Sequence, residues 1–348
     1  LSEEVLIRQV GEIGWLSLNR PPVIHALNLG MIEAMTKALL VWRDDPTIAV
    51  VIIDHAEGRG FCAGGDIAML RHSALNDDDL AGRRFFFAEY RLNHLIKTWP
   101  KPVVAFMDGI TMGGGVGLTG PSRIRIATER TRFAMPETGI GLFPDVGGGW
   151  YLSRLRGRLG QYLALTGARL DGSECLWAGL ATHHLPSEIL PAIKQAIARS
   201  PNDLAAILDG HGAASPPPAL AQKVAEIDRL FSSDRLEDIL DALAADHGPF
   251  ARETLAVIAS RSLLSCKVSL RELAESLSFD DFAAEMAMEY RIASRILVLP
   301  DFAEGVRALI VDKDNAPRWN WRTAQEVDEN LLDAIFAPLP EEDEWHPL

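Results

Sequence analysis

Two carboxylates eight residues apart, Glu137 and Asp145, lie in the segment Phe133 to Gly149, among prolines, glycines and large apolar residues. Burial in such surroundings disfavours the charged form of a carboxyl and poises it as a base or a nucleophile. The competing reading is local, with each acid capping a helix. Two glycine-rich segments stand upstream: Gly60-Phe61-Cys62-Ala63-Gly64-Gly65-Asp66 and Gly109-Ile110-Thr111-Met112-Gly113-Gly114-Gly115-Val116-Gly117. Each reads as a loop entering a helix, where backbone N–H groups are unpaired and glycine lets a ligand approach closely. Two such termini meeting in space would offer two donors to one oxygen, the arrangement of an oxyanion hole. Alternatively, the glycines serve only tight turns and close helix packing.

Two further patterns compete for the same residues. Gly115-Val116-Gly117-Leu118-Thr119-Gly120 matches the dinucleotide fingerprint, but the preceding strand ends several residues too early for that loop. Gly60 to Gly64 has the outline of a nucleophile elbow with Cys62 as nucleophile, and Asp145 and His183 or His184 follow in suitable order. The stretch from His55 to Phe61 separates Cys62 from the preceding apolar strand, which removes the sharp turn an elbow needs; an inert, buried Cys62 is the simpler expectation. His183 and His184 are adjacent, so they do not share a strand or helix face, and no metal-ligand cluster is expected.

The elements that must position these groups follow from local pattern. Val5 to Val10 and Ile13 to Leu18 read as a hairpin around Gly11. Asn28 caps an amphipathic helix from Leu29 to Arg43. Ile48 to Ile53 and Val103 to Met107 are short apolar, β-branched runs of the kind buried on both faces. A helix from Leu80 to Thr98 lies between them and is ended by prolines. Beyond about Ala181 the alternation disappears. A loop from Asp209 to Pro218 precedes helices expected at 220–231, 236–244, 251–262, 269–277 and 282–297. The acidic end, EEDEWHPL, reads as a solvated tail. The fold class is therefore α/β, divided into an α/β core over residues 1–205 and a helical region over 206–348.

Composition bounds the function. The chain has 348 residues with 34 Lys plus Arg against 48 Asp plus Glu, a net charge of −14. That balance argues against nucleic-acid binding, which depends on cations neutralising phosphates. Three cysteines, Cys62, Cys175 and Cys266, make no disulfide framework and suit a reducing compartment. No run of eighteen apolar residues occurs, so no membrane span is expected. The start at Leu1 leaves room for a removed targeting segment.

Taken together, FCAGGDI (61–67), GITMGGGVGL (109–118) and FAMPETGIGLFPDVGGGWYLSRL (133–155) resemble the enoyl-CoA hydratase/isomerase (crotonase) superfamily. With Asp301 to Ala308, Asp312-Lys313-Asp314 and Pro317-Arg318-Trp319, the chain resembles that superfamily's 3-hydroxyisobutyryl-CoA hydrolase branch. The resemblance covers nearly the whole chain. It implies a crotonase-like spiral of ββα turns followed by a helical C-terminal region, and an acyl-CoA thioester as substrate. It also implies that the amides of Gly65 and Gly114 form the oxyanion hole and that Glu137 is the catalytic carboxylate. Asp145 would then orient the substrate hydroxyl and assist proton transfer. Glu89, Gly64, Gly65, Asp66, Gly113 and Gly114 would contact substrate, although Glu89 alone reads equally as a solvated helix charge.

One departure bears on the reaction. Hydratases of the superfamily carry a second Glu three residues after the oxyanion glycine, where this chain has Gly117. General acid–base help is worth roughly 10²–10⁴-fold, so hydration becomes the weaker expectation and hydrolysis the stronger. The resemblance thus implies hydrolysis of a short, branched 3-hydroxyacyl-CoA within valine breakdown, in the cytoplasm or, in a eukaryote, the mitochondrial matrix. No cofactor is needed, since coenzyme A is part of the substrate. The remaining alternatives are hydration or isomerisation of a short enoyl-CoA, and acyl-CoA binding without turnover. Arg20, Arg59, Lys97 and Lys101 are candidates for the CoA phosphates by position. A homo-oligomer is compatible with everything above.

Overall fold

The computed structural model describes residues 4–76, 79–211 and 218–348. The hairpin forms as the spacing predicts: β1 (Val5–Val10) and β2 (Ile13–Leu18) pair antiparallel, Val5 opposite Leu18, with Gly11 at a φ of 59° in the turn. Asn28 caps α1 (Leu29–Arg43), its side chain accepting from the Met31 amide.

From there the chain repeats one unit. A long strand of a first sheet is followed by a short strand of a second, then by helix or loop. The pairs are β3 (Val50–His55) with β4 (Gly60–Cys62), which lead to α2 (Ile67–Asn76) and α3 (Leu80–Lys97). Next come β5 (Val103–Met107) with β6 (Ile110–Met112), leading to α4 (Gly114–Thr119), and then β7 (Ile124–Ala127) with β8 (Arg132–Ala134). Three helices follow, α5 (Gly148–Ser153), α6 (Leu159–Thr166) and α7 (Gly172–Ala178), before a last short strand, β9 (His183–His184). The large sheet runs β1-β2-β3-β5-β7-β9 and the small one β4-β6-β8; every pair except β1 with β2 is parallel.

Alternation along the central strands explains why both faces are apolar. Val51 and Ile53 of β3 and Ala105 of β5 face the main core. Val50, Ile52, Val104 and Phe106 face the other way, under α8 (Leu190–Arg199) and α9 (Leu204–Asp209). The apolar run at Ile48 enters the strand only at Val50, because the Ile48 amide closes a turn onto the Asp45 carbonyl.

The helical region comprises α10 (Val224–Leu230), α11 (Leu236–Ala245), α12 (Pro249–Ala259), α13 (Leu263–Ser276) and α14 (Phe282–Ile296), then α15 (Pro300–Val306) and α16 (Glu329–Phe336). Three expectations shift. Helix α12 ends at Ala259 rather than at 262. Helix α13 starts six residues before the expected 269, because the Ser262 side chain caps it through the Ser265 amide. The 220–231 stretch begins as a 3₁₀ turn, Ala219–Lys223, before α10. Of the expected 209–218 loop, residues 212–217 lie outside the described residues.

The C-terminal tail is a correction. Trp345 is buried and its indole N–H donates to the Phe87 carbonyl of α3, while Glu344 pairs with Arg291. One buried apolar ring outweighs the charges around it, so the tail is docked rather than solvated. The same cluster of buried side chains extends from Val5 to Trp345.

Helix α15 packs backbone-to-backbone against the segment that begins at Glu137. A Cβ on Gly305 would stand 2.4 Å from the Ile140 carbonyl carbon. Gly305→Ala should therefore force α15 away and destabilise the protein by about 1–3 kcal/mol, which urea unfolding would measure; an unchanged midpoint would show that the contact yields freely.

Candidate active site

The glycine loops meet. The Leu27 amide donates to the Gly64 carbonyl at 2.8 Å and the Asp66 amide to the Leu27 carbonyl at 2.8 Å. The Gly65 N–H between them has no hydrogen-bond partner among the described residues. At the start of α4 the Val116 amide returns to the Gly113 carbonyl, and the Gly114 N–H, in the first turn of a helix, has no acceptor among the described residues. Gly64 and Gly113 have φ of 117° and 49°, which only glycine adopts comfortably. A Cβ on Gly64 would lie 3.7 Å from the Gly114 nitrogen, so the loops adjoin. Both line one cavity of about 430 Å³.

Three carboxyls share that cavity. Glu137 opens a 3₁₀ turn and is 4% exposed, and one of its oxygens has no hydrogen-bond partner among the described residues. Glu89 is 2% exposed on the inner face of α3 beside Phe85 and Phe86, which excludes a solvated charge. Its Oε1 lies 2.5 Å from where a Gly114 Cβ would be, so Gly114 must be glycine for the acid to stand there. Asp145 accepts a hydrogen bond from the Tyr90 hydroxyl at 2.9 Å. Burial, reinforced by the neighbouring Asp145 carboxyl, holds Glu89 and Glu137 well above the usual carboxylate range. Burial likewise pushes Asp145 up to about 7, against the opposing Tyr90 hydrogen bond. Near neutrality the site therefore retains protons.

Asp145 stands at the head of a turn closed by the Gly148 amide on the Asp145 carbonyl at 2.8 Å. Its central residues, Val146 and Gly147, have φ of 55° and 90°, the sign pattern of a type I′ turn. A β-branched residue there is strained by roughly 1–3 kcal/mol. Packing offsets that strain: Val146 is buried against Gly117, where an added Cβ would come within 2.8 Å of both the Val146 Cβ and the Asn93 amide. Asn93 also donates to the Gly117 carbonyl. The absent side chain at 117 is thus the notch that seats the Asp145 turn.

Other residues singled out in the sequence fall elsewhere. Asp66 does not line the cavity; it caps α2 through the Met69 amide and pairs with Arg20. Cys62 is fully buried, and its thiol is pushed up to about 12 by burial and donates to the His25 carbonyl, so no nucleophile elbow exists. The dinucleotide-like glycines pack tightly inside and after α4, against Cys62, Val146 and Tyr151, leaving no room for a phosphate. Of the candidate phosphate cations, Arg20 is paired with Glu4 and Asp66, and Lys101 caps the end of α1 through the Trp42 and Asp45 carbonyls. Lys97 lies over Trp150, Tyr151 and Phe282 on another face, and Arg59 is exposed outside the cavity.

Pattern reading missed the far wall. Arg169 borders the cavity, and Arg261, Leu309 and Ile310 reach it from the helical region. It also missed Tyr90, whose partner is 55 residues away. Glu272, Glu285 and Glu289, fully buried and close enough for their carboxylate oxygens to share a cation, were likewise not foreseen. A larger groove of about 570 Å³ between α1 and α3 has neither the free amides nor the buried carboxyls.

What such a cavity stabilises is negative charge growing on a carbonyl oxygen, which makes the chain an enzyme of acyl-group chemistry on a spiral of ββα turns. It belongs to the enoyl-CoA hydratase/isomerase family, whose sequence model matches residues 13–336. The 3-hydroxyisobutyryl-CoA hydrolase of Xenopus laevis mitochondria is 43% identical over 347 residues, covering 97% of this chain and 90% of that one. Its human counterpart is 41% identical over 351 residues, covering 98% and 90%. Among solved structures, a carnitinyl-CoA dehydratase from Mycobacterium thermoresistibile superposes with a TM-score of 0.93 at 38% identity, covering 98% of each chain. An enoyl-CoA hydratase from Rhodobacter sphaeroides gives 0.92 at 37%, covering 99% of this chain and 100% of that one.

The raised pKa of Asp145 has a consequence for stability. Between about 4, where an unfolded Asp ionises, and about 7, the native state binds more protons than the unfolded one. Stability therefore falls as pH rises through that window. Asp145→Asn removes this contribution while keeping an acceptor for Tyr90. Its melting temperature should exceed that of the wild type at pH 8 and match it at pH 4; an equal difference at both would contradict the burial of a titrating carboxyl.

Proposed function

We propose that the chain hydrolyses the thioester of a short, branched 3-hydroxyacyl-CoA, 3-hydroxyisobutyryl-CoA, to the free acid and CoA. The observation that carries this reading is two free amides and three buried carboxyls in one cavity, in a chain about 42% identical to hydrolases of that name. The thioester oxygen sits between the Gly65 and Gly114 N–H groups, where each donor is worth about 3–4 kcal/mol of barrier. Glu137 attacks the carbonyl carbon, breaking the C–S bond to leave an anhydride that water cleaves, or it activates that water directly. Asp145, with Tyr90 behind it, binds the substrate hydroxyl. The proton retained by the crowded carboxyls goes to the departing thiolate. Arg169, which has no ion pair among the described residues, and Arg261 supply positive charge at the mouth for the CoA phosphates. The relatives are named as mitochondrial, and a eukaryotic form of this chain would work in the mitochondrial matrix.

Hydration of an enoyl-CoA is favoured by one observation. Glu89 brings a second carboxyl to the oxyanion glycine from a different helix, which weakens the inference drawn from Gly117.

Free-thiol release from 3-hydroxyisobutyryl-CoA, run beside loss of the crotonyl-CoA double bond, decides between the two. Rapid thiol release with little hydration is expected, and the reverse would overturn the hydrolase reading. Glu137→Gln should reduce kcat by at least about 10³-fold with substrate binding retained; near-normal turnover would remove Glu137 from the chemistry. A single turnover in ¹⁸O-water labels Glu137 only by the anhydride route. Asp145→Asn should slow hydroxylated acyl groups more than plain ones, and equal losses would exclude its hydroxyl contact.

A further inference from the structure

Behind the cavity floor, α14 carries Glu285 and Glu289 one turn apart and α13 carries Glu272 opposite them. All three are fully buried, and none lines the cavity. Their environments differ. Glu285 accepts from the Ser276 hydroxyl at 2.7 Å, and the Glu272 oxygens meet no donor in hydrogen-bonding geometry. Glu272 and Glu285 lie beside the Gly149 and Trp150 amides of α5, whereas Glu289 makes the well-formed contact with the turn: both of its oxygens accept the Gly147 N–H, at 3.0 and 2.9 Å.

Gly147 is the second central residue of the turn that begins at Asp145. Its amide is buried and, without Glu289, would have no acceptor, a loss that a dry interior penalises. The preceding Val146 has a left-handed conformation that its branched side chain disfavours. Packing against Gly117 holds one side of this turn, and the Glu289 carboxyl holds the other. We propose that Glu289 is a positioning residue, which grips the Gly147 amide and thereby keeps the strained turn that presents Asp145 to the substrate. This rests on the reading that Asp145 acts on the substrate. Glu272 and Glu285 crowd the same place: three buried carboxyls this close cannot all ionise, so the cluster retains protons, and burial with its two neighbours holds Glu289 itself well above the usual carboxylate range.

The test is a double-mutant cycle with Asp145→Asn, reading kcat, KM and the Kd for 3-hydroxyisobutyryl-CoA. Glu289→Leu should lower kcat by about 10²-fold, the cost of misplacing a reacting group by about 1 Å. Its Kd for 3-hydroxyisobutyryl-CoA should rise as well, because Asp145 also binds the substrate hydroxyl, and Glu289→Gln, which keeps an acceptor, should recover most of the activity. In the Asp145→Asn background, Glu289→Leu should cost almost nothing further. An equal loss with and without Asp145 would overturn the proposal in favour of a general structural role, as would full activity of Glu289→Leu. If that variant does not fold, Glu289→Asp carries the same cycle, because it keeps the carboxyl but withdraws its oxygens from Gly147; full activity of Glu289→Asp would equally overturn the proposal. If the wild type hydrates crotonyl-CoA instead of releasing thiol, the hydrolase reading fails and the cycle is read on the hydration rate. If it shows neither activity, the cycle is read on the Kd, where additive losses refute the positioning role.

Discussion

Strands β4 and β6 run parallel, with Cys62 beside Thr111, so the loops that leave them emerge side by side at the same edge of the small sheet. That register brings Gly64 against Gly113 and Gly114 and leaves the Gly65 and Gly114 amides facing one cavity. Each turn of the spiral crosses from the large sheet to the small one before its helix begins. The crossing delivers successive loops to one place, and everything chemical in the molecule is arranged around their meeting point. A side chain on Gly114 would displace Glu89, one on Gly113 would crowd Glu137, and one on Gly65 would press on Phe85.

A dry cavity with several unpaired polar atoms is unstable by itself. The large apolar cluster, which includes side chains from the first strand and from the docked C-terminal tryptophan, supplies the compensation. Its location also matters. Because α13 and α14 pack against α5 and helix α15 packs against the Glu137 segment, the helical region is part of the site wall rather than an appendage.

Gly117 and Glu89 together illustrate how spacing can mislead. Reading along the chain, glycine at 117 removes a proton-transfer group. In space, that glycine is a notch for Val146, and the turn seated there carries Asp145 instead. Meanwhile α3 provides Glu89 beside the oxyanion glycine. The site therefore holds three acids, not two, and their mutual repulsion under burial keeps protons among them at neutral pH. A thioester leaving as thiolate needs such a proton.

Much of this was legible before folding. The hairpin around Gly11, the Asn28 cap, the run Val103 to Met107 and the helical character beyond Ala181 are set by contacts within a few residues, where caps, turns and periodicity act. The two glycine loops and the Glu137–Asp145 pair could be singled out for the same reason, since unusual residue types in unusual density mark local backbone demands. What lay beyond reach were partnerships across long separations. Tyr90 with Asp145, Glu289 with Gly147 and Trp345 with Phe87 span 55, 142 and 258 residues. Glu89 and Glu289 are charged residues on helices and Trp345 sits in an acidic run, so sequence pattern by itself does not betray their burial. Local sequence determined which elements form and which residues are chemically capable. Only the tertiary structure decided which of those residues face one another, because that depends on where the spiral's crossings stack and how the distant helices close over them.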